Sequence, residues 1–109
     1  MANRYRGEIE AEMDGRRWTL CLTLGALAEL EDAYGGADLM ALAERFENGR
    51  LRASDAVRII AAGLRGAGHD VGDDAVAAFR VADGAAGYVS IVARLLRATF
   101  APDRDGERT

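Results

Sequence analysis

A chain of 109 residues, half of them apolar, has the size and composition of one globular domain, expected to bury about 65% of its unfolded surface. Its net charge of −4 argues against a general nucleic-acid binder, and its single cysteine, Cys21, rules out an internal disulfide. No apolar run approaches the ~20 residues of a spanning helix, and the start of the chain carries no apolar signal segment, so a reducing bacterial cytoplasm is the expected setting and no membrane is involved. All 14 basic residues are Arg, which reads as the codon bias of a GC-rich bacterial genome.

Residues 7–13 and 16–22 flank Asp14-Gly15, a pair suited to the positive φ angles of a type I′ hairpin turn. With that pair as the turn, Ile9 faces Leu20, Ala11 faces Trp18 and Glu12 faces Arg17. One face then carries Ile9, Ala11, Met13, Trp18, Leu20 and Leu22, and the other carries Glu8, Glu10, Glu12, Arg17, Thr19 and Cys21. An isolated two-stranded ribbon is marginal in water, so the apolar face must cover the helices that follow or a partner. The row of three Glu has two readings. Charge on a solvated strand keeps an exposed edge from aggregating, which is the simpler one. Alternatively the edge accepts a partner strand and the Glu row selects a basic partner.

Thr23 is expected to cap a first helix that turns Leu24, Leu27, Leu30 and Tyr34 inward before Gly35-Gly36 ends it. Asp38 caps a second, with Leu39, Leu42 and Phe46 as its stripe, ended at Asn48-Gly49. Ser54 is expected to cap a third, burying Val57, Ile60, Ala61 and Leu64 before Gly66 and Gly68. A short fourth helix begins at Gly72 or Asp73, with Val71 packed on Val76, and runs through Phe79 to about Val81. Gly84 to Gly87 should loosen the junction to a last helix burying Tyr88, Val92, Leu95 and Leu96, with Val89 and Phe100 as further members. The fold class expected is α+β, mainly α: an N-terminal β-hairpin packed on about five short helices. A single domain over residues 1–100 would be followed by a flexible charged tail over 101–109.

Catalytic and cofactor chemistry finds little to stand on. His69 is the only imidazole, set in a Gly-rich turn, and Ser54, Ser90 and Cys21 are the only nucleophiles it could meet. A solvated loop histidine is the simpler reading, and no enzyme activity is expected. Two Cys or His in total cannot build a structural zinc site. Asp70, Asp73 and Asp74 lack the calcium-loop spacing, and a chain without Lys has no Walker loop, so no metal or other cofactor is expected. Arg45, Arg50, Arg52 and Arg58 surround the turn between the second and third helices and invite a helix-turn-helix reading. The segment from Asn48 to Ser54 is too long for the three- or four-residue turn of that motif, and the chain is acidic, so nucleic acid is an unfavoured partner.

Two blocks carry more. LTLGALAELE over residues 22–31, together with IIAAGLRGAG over 59–68, resembles a small family encoded among the tail genes of gene transfer agents and related prophages, usually described as a phage tail assembly chaperone. The similarity extends from Arg6-Gly7-Glu8 to the segment Leu95 to Phe100. It implies a helper of tail morphogenesis that binds the tape-measure protein or a tail-tube subunit, with self-association left open. It brings no active-site residues. The alternatives are a minor structural component of the tail and a small DNA-binding regulator. For contact with a partner the sequence singles out Glu8, Glu10, Glu12 and Arg17 on the outer hairpin face, then Arg50 and Arg52.

Overall fold

The computed structural model describes residues 7–100. The flexible tail expected over 101–109, and the first residues of the expected domain, lie outside the described residues. Asp14 and Gly15 take φ values of 55° and 77°, as a type I′ turn requires. Strands β1 (Glu8–Met13) and β2 (Arg16–Cys21) pair antiparallel in the register this turn dictates, Ile9 opposite Leu20, Ala11 opposite Trp18 and Glu12 opposite Arg17. The pleat sends Ile9, Ala11, Met13, Trp18 and Leu20 to one face, and all are buried there. Five helices follow: α1 (Leu24–Ala33), α2 (Leu39–Glu47), α3 (Ala53–Gly66), α4 (Asp73–Ala77) and α5 (Gly84–Phe100). The architecture is the α+β, mainly α, arrangement of a hairpin on helices, although α3 and α5 are longer than short helices.

Helix α3 is the axis. Every residue from Ile59 to Leu64 is buried, the mark of a helix covered on all sides. The hairpin's apolar face, α1, α4 and α5 supply that cover. Two glycines set how closely α3 lies on β2. A Cβ on Gly63 would stand 2.8 Å from Leu95 Cδ2 and 3.3 Å from Leu20 Cβ, and one on Gly66 only 2.0 Å from the carbonyl oxygen of Cys21. Gly66 is thus the last residue of α3 and packs against β2. Ala67 is the C-cap, and Gly68 adopts the left-handed conformation while the His69 N–H reaches the Leu64 carbonyl at 2.9 Å. This is a Schellman ending, and α1 and α2 close the same way at Gly35 and Gly49.

Helix starts follow the sequence in three of four expected caps, Gly72 preceding α4 as one of them. Thr23 Oγ1 accepts the Ala26 N–H at 3.1 Å and Asp38 Oδ1 accepts the Ala41 N–H at 2.8 Å. Ser54 does not cap α3. Asp55, at the third helical position, accepts the Arg52 N–H at 2.9 Å, so the chain enters the helix at Ala53 and leaves Ser54 exposed in the first turn.

The inward faces also differ in places. Leu24 is 80% exposed, because Ala26 and Leu30 are the buried positions of α1 and Leu24 lies roughly 140° around the helix from their stripe at ~100° per residue. Val89 of α5 is exposed, and the buried stripe there is Ile91, Val92 and Leu95. Helix α4 stops at Ala77 and does not reach Val81, since Phe79 turns in to stack on Trp18 with ring centroids 5.4 Å apart, and the Phe79 carbonyl accepts the Tyr88 hydroxyl. The junction before α5 is made at Asp83 and Gly84, both with positive φ, while Gly87 belongs to the helix. Along α5, Arg94 donates to the Glu10 carbonyl, which lays the last helix beside β1.

The close approach of α3 and β2 has a direct test. Gly66→Ala should destabilise the fold by about 3 kcal/mol, since the obstacle is backbone. Gly68→Ala, with nothing near its Cβ but a φ of +99°, should cost about 1 kcal/mol. Chemical denaturation of the two variants measures the difference.

Candidate functional site

The outer face of the hairpin holds four of the six residues singled out by sequence. Glu12 and Arg17 face each other across the strands and are exposed, whereas Glu8 and Glu10 are half-buried and engaged in interactions of their own. The bond from Arg94 to the Glu10 carbonyl occupies part of the outer edge of β1. An incoming strand therefore finds the edge with the Glu row obstructed, and the simpler reading of that row, charge on a solvated face, fits Glu12 best.

The Arg cluster divides into two pairs with different surroundings. Asp55 is only 3% exposed, yet it accepts the Tyr34 hydroxyl on Oδ1 and the Arg52 N–H on Oδ2, with the Arg45 guanidinium 3.9 Å away. Arg45 and Arg58 lie over the Tyr34 ring at 5.4 Å and 5.8 Å, and Phe46 meets the same ring edge-on. This cluster joins the end of α1 to α2 and to the start of α3. It holds the Tyr34 phenol well above its ordinary pKa of about 10, through burial first and then through the hydrogen bond and negative charge of Asp55, with Arg58 and Arg45 acting in the opposite sense. Sequence reasoning passed over Asp55. Its signal was an acid at the third position of a helix, the capping-box position, read instead beneath the neighbouring Ser54.

Arg50 and Arg52 are exposed and share a shallow polar depression with Ala41, Glu44 and Asn48. Next to it, with Leu51 and Arg52 common to both, lies an apolar cleft of about 300 Å³ between α3, α4 and α5, walled by Val57, Ile60, Val76, Tyr88 and Val89. The six residues do not form one surface. Gly66 abuts β2 at Cys21, and Arg52 sits at the opposite end of α3, roughly 20 Å along the helix at ~1.5 Å per residue.

His69 is not a solvated loop residue. Its ring meets Trp18 edge-on at 5.0 Å, opposite in role to the stacked Phe79, and its Nε2 is buried with no hydrogen-bond partner among the described residues. Arg16 lies 4.2 Å from the Trp18 ring centre, and the indole N–H donates to the Met13 carbonyl at 3.0 Å. His69 is thus part of the packing around Trp18. Arg65 fastens the same region, reaching Glu29 at 2.7 Å, Asp73 at 3.3 Å and the Val71 carbonyl at 2.9 Å. Its pKa is raised, chiefly by the hydrogen bond to Glu29. Among the described residues no group of three or more His, Cys, Asp or Glu is placed to hold a metal ion, and no helix is long and apolar enough to cross a membrane.

The model of a family described as phage tail tube protein, GTA-gp10, matches residues 6–102. No curated protein and no solved structure matches the chain.

Two outcomes follow from the site geometry. An unfolded chain releases the Tyr34 proton near pH 10 and the folded chain holds it to higher pH, so the contribution of this cluster is intact below pH 10 and is lost as pH rises beyond it. An alkaline ultraviolet titration should show a late-ionising tyrosine coincident with unfolding, and Tyr34→Phe should remove it. Charge reversal at Glu12 or Arg17, both exposed, should change stability by only about 0.5 kcal/mol in thermal denaturation.

Proposed function

The chain belongs to the phage tail tube protein, GTA-gp10 family, and from that membership we propose that it acts as a tail assembly chaperone, a non-catalytic protein that binds a tape-measure or tail-tube subunit while a phage or gene transfer agent tail is built. The family places the chain among tail proteins, with other tail components as its natural partners. The observation that carries the chaperone reading is an apolar cleft left open on a protein whose own core is closed. Val89, 52% exposed, lines that cleft, while Leu20, Ile59, Ile60, Leu64 and Leu95 are fully buried; Leu24 and Met40 are exposed singly and do not line it. An open apolar cleft with an exposed apolar side chain in its wall suits transient cover of a hydrophobic segment. Such work would be done in the bacterial cytoplasm before the particle is complete.

A second reading is a structural component of the tail, and the description of the family as a tail tube protein favours it. The two readings differ in where the chain ends up. Co-expression with the tape-measure and tail-tube proteins of the same locus, followed by affinity capture and size-exclusion with mass determination, should give a defined soluble complex if the chain is a chaperone, and purified mature particles should lack it. Recovery in mature particles at the copy number of the tube would establish the structural role instead.

A further inference from the structure

We propose that the cleft between α3, α4 and α5, together with Arg52 in its lining and Arg50 in the adjoining depression, is a docking site for an acidic amphipathic helix of a protein partner, one large apolar side chain entering the cleft and neighbouring carboxylates meeting the two guanidinium groups. The proposal rests on the protein-binding reading above and gives it a location and a ligand chemistry. The cleft walls are mainly apolar, and the volume of about 300 Å³ lies at the lower end of what holds a small organic group. Val89 points to the same use. It is 52% exposed on a helix that buries Ile91, Val92 and Leu95, and it lines the cleft. An apolar partner side chain seated there would remove it from water.

Charge selects the partner. Arg52 is the one charged residue of the cleft lining, and it also lines the adjoining depression with Arg50 and Arg45. Arg45 is committed to Asp55, whereas neither Arg50 nor Arg52 pairs with a carboxylate among the described residues. Glu44 is the opposing charge in the depression. Two cations without a carboxylate partner among the described residues, beside an apolar cleft, favour an acidic segment through local charge, and the net charge of −4 opposes a second copy as a whole. The Arg52 side chain is free for this task because its structural role in capping α3 uses the backbone N–H.

The test uses the full chain and two synthetic helical peptides of one Leu/Ala pattern, one carrying Glu at its polar positions and the other Lys, followed by fluorescence anisotropy. The Glu peptide should bind, and binding should weaken as salt rises. Val89→Asp, at an exposed position, should weaken it by about tenfold or more, and Ala77→Phe, also exposed, should do the same by filling the cleft. Arg50→Glu with Arg52→Glu should invert the preference towards the Lys peptide, whereas Leu24→Ser and Met40→Ser should change nothing. Equal binding of the two peptides, unaltered binding by both Val89→Asp and Ala77→Phe, or loss on Leu24→Ser or Met40→Ser would overturn the proposal. Peptide binding by a chain that captures no tail protein would support the cleft and count against the chaperone reading alone.

Discussion

The contact of α3 with the hairpin is the constraint on which the other elements depend. Two strands alone are marginal in water, and a helix with the continuous apolar segment Ile59 to Leu64 has no stable exposed state, so each requires the other. Gly63 and Gly66 let the backbones approach until Leu20 fills the space above Gly63 and the Cys21 carbonyl lies against Gly66. Trp18, fixed by this approach, is met edge-on by His69 and stacked by Phe79. Those two residues carry the chain out of α3 and out of α4. Phe79 in turn receives Tyr88 of α5, and α5 returns along β1 to Arg94 and Glu10. The order of packing thus runs from one glycine-mediated contact outward.

Much of this frame was legible because it is local. Asp14-Gly15 determines the hairpin register, and with it which residues face inward, through backbone dihedral angles that few other residues adopt. Thr23 and Asp38 announce their helices by side-chain bonds to N–H groups three residues on. The errors are tertiary. Leu24 obeys helical spacing but falls on the side of α1 turned away from α3, and spacing alone cannot say which side is covered. Ser54 is as good a cap as Asp38 in isolation. Asp55 decides otherwise because its carboxylate is also required by Tyr34, 21 residues earlier. His69 reads as a loop residue until Trp18 is brought against it.

For the candidate site, the residue types were legible and their grouping was not. The charges of the hairpin face and of the Arg-rich turn stand out in the sequence. Only the structure shows that they sit near opposite ends of α3, and that Arg45 and Arg58 turn towards Tyr34 while Arg50 and Arg52 stay outward. The apolar cleft was invisible because its walls come from three helices, and because Val89 was expected inside the core.

A small tail-family protein with a closed core, an apolar cleft and, among the described residues, two arginines beside it that pair with no carboxylate is suited to hold another protein's helix. On the proposed binding mode the partner sits at the cleft end of α3 and not at the hairpin. Hydrogen-exchange mass spectrometry of the chain, free and in complex with a co-expressed tail partner, reads this out directly. Binding at the cleft should add protection over residues 50–57 and 76–89 and leave 8–21 unchanged. Protection confined to 8–21 would contradict it and move the binding surface to the hairpin.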